Sequence, residues 1–132
     1  MRIYITHCSA KKNDSLKESK IKVTPDALYT ATPTVRFIQK CIQLGVKWAI
    51  FSDKYGIWFP HEKHEWYEKS PDKVTEVEFR QLLDNFDSRL KGYDEIWFYH
   101  NSGRFHKFYK RLLKKSTIKG RIKLFSNLIE IT

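Results

Sequence analysis

A chain of 132 residues, 41% of them hydrophobic, is long enough to bury its own core, which excludes a wholly disordered segment and a small disulfide-stapled scaffold. Two cysteines, Cys8 and Cys41, make no disulfide framework, and the apolar runs fall far short of a membrane span, so the expectation is a reduced, cytoplasmic protein with no membrane partner. The 25 Lys+Arg against 15 Asp+Glu leave a net charge of +10, which favours nucleic acid or a nucleotide as partner without saying where it binds.

Residues 2–8, R-I-Y-I-T-H-C, are short, β-branched and aromatic, and end in a polar stretch; they predict a first strand. Residues 9–28 are polar and lysine-rich and read as a loop with room for a short helical piece. Thr32-Pro33 predicts a helix start, with Thr32 as cap. Val35, Phe37, Ile38, Cys41, Ile42 and Leu44 form its apolar stripe, and Gly45 ends it.

Residues 47–52, K-W-A-I-F-S, are a continuous apolar run and predict a buried second strand. Residues 53–72 read as a long loop. Thr75-x-x-Glu78 is a capping box, and Phe79, Leu82, Leu83, Phe86 and Leu90 follow with helical spacing. Residues 95–100, E-I-W-F-Y-H, predict a third strand. Asn101-Ser102-Gly103 is expected to cap a third helix, with Phe105, Phe108, Tyr109, Leu112 and Leu113 inward and a row of Lys and Arg outward. Residues 121–125 and 128–131 predict one or two final strands. Strands alternating with helices predict an α/β fold: a single three-layer domain, residues 1–132, with a mostly parallel sheet of four to five strands and helices on both faces.

Ligands of such sheets bind beyond the carboxyl ends of the strands. Three polar clusters are expected there. They are His7, Cys8, Ser9, Ala10, Lys11 and Lys12 from the first strand, Ser52, Asp53, Lys54, Tyr55 and Gly56 from the second, and His100, Asn101, Ser102 and Gly103 from the third, where Arg104 adds charge. The free N–H groups of a helix opening at Ser102 would attract an anion. Cys8 reads as a structural thiol, because His7 and Cys8 point to opposite faces of a strand. His61 and His64 are three apart in a loop, which is not the zincin spacing, and no metal or cofactor is expected. Neither a P-loop, a G-x-G-x-x-G nor a G-x-S-x-G is present, which weighs against a nucleotide triphosphatase, a dinucleotide oxidoreductase and an α/β-hydrolase. Asp53, Glu62 and Tyr55 remain as candidate catalytic groups, the carboxylates suited to glycosidic-bond chemistry.

At these clusters the chain resembles a family of small proteins related to the bacterial peroxide-stress protein YaaA. The matching runs are C-S-A-K-K at residues 8–12, A-L-Y-T at 27–30 and W-A-I-F-S-D-K-Y-G-I-W-F-P at 48–60, with Tyr67 following. Asp53 and Ile57 depart from the residues usual in that family. The resemblance implies DNA binding, protection from oxidative damage or handling of modified bases. It adds Cys8 and Tyr29 to the candidate ligand residues Ser9, Lys11, Lys12, Ser52, Lys54, Tyr55 and Gly56. Two readings follow. One is a nucleic-acid or nucleobase-binding protein, with lysines on phosphates and Tyr55, Trp58 or Trp66 stacked on bases. The other is a small enzyme on a nucleotide or nucleoside, similar in layout to a deoxyribosyltransferase. A closed pocket favours the enzyme, and a broad basic groove favours the binder.

Overall fold

A computed structural model describes residues 1–101 and 104–132. In chain order the elements are β1 (Arg2–His7), β2 (Lys22–Val23), α1 (Pro25–Leu28), α2 (Thr32–Leu44), β3 (Trp48–Ser52), β4 (Gly56–Trp58), β5 (His64–Glu65), α3 (Glu76–Leu90), β6 (Glu95–Tyr99), α4 (Lys107–Lys115) and β7 (Ile122–Phe125). Five strands form one sheet in the order β4-β3-β1-β6-β7. β3, β1, β6 and β7 run parallel, and β4 is antiparallel to β3. β2 and β5 make a separate antiparallel pair. The expected α/β class holds.

The helices form where the sequence places its signals. In α3, Thr75 accepts from the Glu78 N–H while the Glu78 carboxylate accepts from the Thr75 N–H, a reciprocal cap, and Phe79, Leu82, Phe86 and Leu90 are buried. α2 ends at Gly45, whose φ of +65° suits a residue without a Cβ. Its start differs from expectation. Thr32 is the first helical residue, and Ala31 stands at the cap without a side-chain bond; Pro33 in the first turn supplies the pre-set φ instead.

Alternate residues of β1 divide between two cores. Ile3 and Ile5 pack with α3 and α4, and Tyr4 packs with Phe37, Ile38 and Cys41 of α2. The chain steps from β1 to β3 on one side, then returns past β1 to β6 on the other. The strand order therefore reverses at β1, and a crevice opens at the carboxyl ends where the connections diverge.

Three expectations are corrected. The loop expected over 53–72 contains β4, a fully buried three-residue strand too short for a period-two pattern to register, and β5. The final strand expected at 128–131 is a 3-10 turn, Leu128–Glu130, capped by the Asn127 side chain. The third helix does not open at Ser102. It opens at Lys107, because the His106 side chain accepts the Phe108 N–H at 2.9 Å and serves as its cap. Ser102 and Gly103 themselves lie outside the described residues.

Candidate functional site

At the reversal point the ends of β1, β3 and β6 enclose a cavity of about 500 Å³. β1 and its continuation contribute Thr6, His7, Cys8, Ser9, Ala10 and Lys12 to the wall. β3 contributes Asp53, and β6 contributes Tyr99, followed by Asn101 and Arg104. The start of α2 adds Thr34, the 68–71 segment adds Lys69, and α4 adds Tyr109 with its cap His106. Pockets of this size, with apolar walls and a few convergent polar groups, suit small ligands.

Asp53 is the chemically distinctive member. It is 2% exposed, and its Oδ1 is buried with no hydrogen-bond partner among the described residues. Burial pushes its carboxyl above the ordinary aspartate range, while the Cys8 thiol and the Lys12 charge pull the other way. Lys12 is 7% exposed. Its ammonium lies 4.5 Å from the Tyr67 ring centroid and makes a 3.4 Å bond to the Ala10 carbonyl. Neither group forms an ion pair within 4.0 Å among the described residues.

His7 lies on the same wall. Its Nδ1 is 2.8 Å from the Cys8 carbonyl, which accepts only, so Nδ1 carries the proton and Nε2 is an acceptor in the neutral ring. Burial lowers its pKa and favours that neutral form. The ring stacks on Tyr109 at 4.6 Å. The Tyr109 hydroxyl meets Cys8 Sγ at 3.3 Å, and Sγ accepts from the Asp53 N–H at 3.4 Å. Burial pushes the Cys8 thiol up to about 11, so it is a protonated packing group at neutral pH rather than a nucleophile.

Behind the wall, a chain of buried hydroxyls ties together segments remote in sequence. The Tyr29 and Tyr67 hydroxyls are 2.6 Å apart, and Ser52 donates to Tyr67 at 3.0 Å. Ser52 Oγ in turn accepts the Lys54 and Tyr55 N–H groups, turning the chain after β3. Lys12 bridges to Tyr29 through the backbone, with Thr30 N–H donating to the Lys11 carbonyl and Asn13 N–H to that of Leu28. The segments 8–12, 27–30 and 48–60 therefore meet around one edge of the cavity.

The three predicted clusters divide. Ser9, Lys12, Asp53, Asn101 and Arg104 line the cavity. Tyr29 and Ser52 support it from behind through their hydroxyls. Lys11 and Lys54 are exposed and off its wall, and Tyr55 stacks on His64 at 4.0 Å with its hydroxyl donating to the Glu65 carbonyl. Gly56, at φ +76°, turns beside Asn85 rather than beside the cavity: a Cβ there would stand 2.3 Å from Asn85 Oδ1. Glu62 is committed to Arg89 and to the Phe59 N–H. Trp58 is fully buried, its indole N–H donating to the Glu62 carbonyl, so it offers no stacking surface. The anion site expected at the Ser102 helix start is displaced too. The first turn of α4 is already capped by His106, whose Nε2–H donates to Asp72 at 2.8 Å.

His7, from the first polar cluster, lines the wall, whereas Thr34, Lys69, Tyr99, His106 and Tyr109 were not expected there. Tyr99 carried a signal, since it stands at the carboxyl end of a strand. Lys69 and Tyr109 carried none, because their places depend on how the 68–71 segment and α4 fold over the sheet edge. Compared with known proteins, the chain matches no family model, no curated protein and no solved structure.

Proposed function

We propose that the chain binds a nucleobase-bearing small molecule in this cavity and cleaves or exchanges its N-glycosidic bond, with Asp53 as the carboxylate at the sugar. One observation carries the reading: Asp53 lines the cavity and has a buried carboxylate oxygen that finds no partner among the described residues. Buried acceptors are nearly always satisfied, and one left open at a ligand-sized cavity calls for a donor or an electrophilic carbon from the ligand. Asp53 would attack the anomeric carbon as the bond to the base nitrogen breaks, the base leaving with the electron pair and then taking up a proton. His7 Nε2 would take the proton of the water that hydrolyses the resulting ester. Lys12 and Arg104 supply positive charge on the wall for a phosphate.

The resemblance of residues 8–12, 27–30 and 48–60 to YaaA-related proteins supports the same ligand class and a role in handling modified or damaged bases. The two buried free thiols, Cys8 and Cys41, suit a reducing, cytoplasmic setting, and no helix among the described residues is long and apolar enough to cross a membrane.

Thermal shift with free bases, nucleosides and nucleoside monophosphates, followed by chromatography for released base, tests the reading. A ligand present at about 100 times its Kd adds about 2.7 kcal/mol. The expected result is a rise in Tm with one ligand class and base release lost in Asp53→Asn. No shift across the panel and no release would overturn it.

A further inference from the structure

A second concavity, of about 770 Å³, lies across the segment that follows β6. It is lined by Phe105, Leu113, Ile122 and Leu124 and by Lys110, Lys114, Lys119 and His100. Ile122 and Leu124 are alternate residues of the edge strand β7 and share a face, and Leu124 is 48% exposed. Among the described residues no acidic side chain lines it. Lys110, Lys114 and Lys119 have no carboxylate within 4.0 Å among the described residues, whereas neighbouring Arg111 is held by Glu76.

The groove and the cavity are lined by neighbouring residues of the chain. Tyr99, Asn101, Arg104 and His106 line the cavity, while His100 and Phe105 line the groove. An aromatic series crosses between them: His7 on the cavity wall lies 6.1 Å from Phe105, which stacks on His100 at 4.8 Å. We infer that the groove is a docking track for single-stranded nucleic acid, so that the cavity also receives a nucleotide presented by a strand. This rests on the proposed nucleobase reading of the cavity.

The chemistry of the groove selects that occupant. Lysines beside an apolar lining that includes Phe105 match a chain that alternates phosphates with planar bases, a base stacking on the Phe105 ring while the phosphates meet the ammonium groups. A purely anionic polymer leaves Phe105 and Leu124 uncovered, and a purely apolar partner leaves three ammonium groups without counter-charge.

The test is fluorescence anisotropy on the whole chain with labelled single strands of about 10 nucleotides, within the range that one such site covers, beside thermal shift with mononucleotides. Lys110→Glu/Lys114→Glu/Lys119→Glu is compared with Lys20→Glu/Arg36→Glu/Lys63→Glu, which reverses the same charge on exposed positions outside the groove. The expected result is binding at about 50 mM salt that weakens steeply as salt rises. The groove variant should lose roughly tenfold or more, the control much less, as phosphate contacts rather than net charge set affinity. Phe105→Leu should weaken the strand while leaving polyglutamate binding unchanged. Equal losses in the two charge variants, polyglutamate binding as tight as the strand, or a salt-insensitive dimer that covers the groove would each overturn the inference. Mononucleotide binding that survives such a result leaves the cavity reading standing. Groove-dependent strand binding without any mononucleotide effect supports the track and removes the glycosidic reading.

Discussion

The two faces of the sheet are built from different chemistry. The face under α3 and α4 is apolar: Ile3, Ile5, Phe51, Phe86, Phe98 and Leu112 dominate it, with Tyr109 among them. The face under α2 carries Tyr4, Tyr29, Tyr67, Trp48, Trp58, Cys8 and Cys41, side chains with an apolar body and a polar handle. On the apolar face, packing density sets stability. On the other, the handles must be paired, and pairing them draws Tyr29, Ser52 and Tyr67 to one place. The cavity lies at the strand ends, where α2 gives Thr34 and α4 gives Tyr109 with its cap His106 to the wall. The difference teaches that the paired handles hold one side of the site in shape while the apolar face holds the fold together.

The sharpest break in that comparison is Phe86→Ala. Phe86 is fully buried and lies edge-on to Phe51 at 5.7 Å. The substitution should cost about 3–5 kcal/mol in urea unfolding, without changing ligand affinity in the fraction that remains folded. A cost under about 1 kcal/mol would show that this face is loosely packed.

Gly56→Ala should cost about 2 kcal/mol, from left-handed backbone strain and the contact with Asn85. Asn85 is not free to withdraw, because its Oδ1 accepts the Ile57 N–H at 2.8 Å. In an Asn85→Gly background the added cost of Gly56→Ala should shrink to the backbone part alone. Failure to shrink, read from the double-mutant cycle, would remove the steric account.

Tyr67→Phe keeps the ring and deletes the hydroxyl shared by Ser52 and Tyr29. Leaving those buried groups short of a partner should cost about 1–3 kcal/mol. It should also weaken cavity ligands, since the turn after β3 and the 27–30 segment lose their common tie. Equal affinity in the variant would mean that the hydroxyl chain serves stability alone.

Asp53→Asn should have the smallest effect and the opposite sign. The native carboxyl titrates above its unfolded value because burial disfavours the charge. Below the unfolded value, near pH 3.9, both states are protonated and the ionisation penalty is absent. As pH rises toward and through the folded value, the unfolded state binds fewer protons than the native one, and stability falls. Asp53→Asn removes that fall, so its Tm should match the wild type near pH 3 and exceed it at pH 7. The same variant is expected to lose base release. A Tm below wild type at pH 7 would mean that the carboxylate has a structural partner.

Much of the fold was legible in the amino-acid order because local physics dominates there. Apolar spacing and the Thr75–Glu78 cap mark α3, Gly45 marks the end of α2, and β-branched and aromatic runs mark β1, β3 and β6. Alternation of strands and helices then sends the strand ends to one edge, which is enough to name Ser9, Lys12, Asp53, Asn101 and Arg104. Local order did not separate Asp53 from Glu62, two loop carboxylates nine residues apart in sequence. Only the folded chain does so, by bringing Arg89 of α3 against Glu62 and leaving the buried Asp53 Oδ1 with no donor among the described residues. Nor did it show that His106 takes the cap expected of Ser102, or that Gly56 faces Asn85. In each case the deciding contact joins residues whose meeting depends on how helices and loops close over the sheet edge, which side-chain periodicity does not encode.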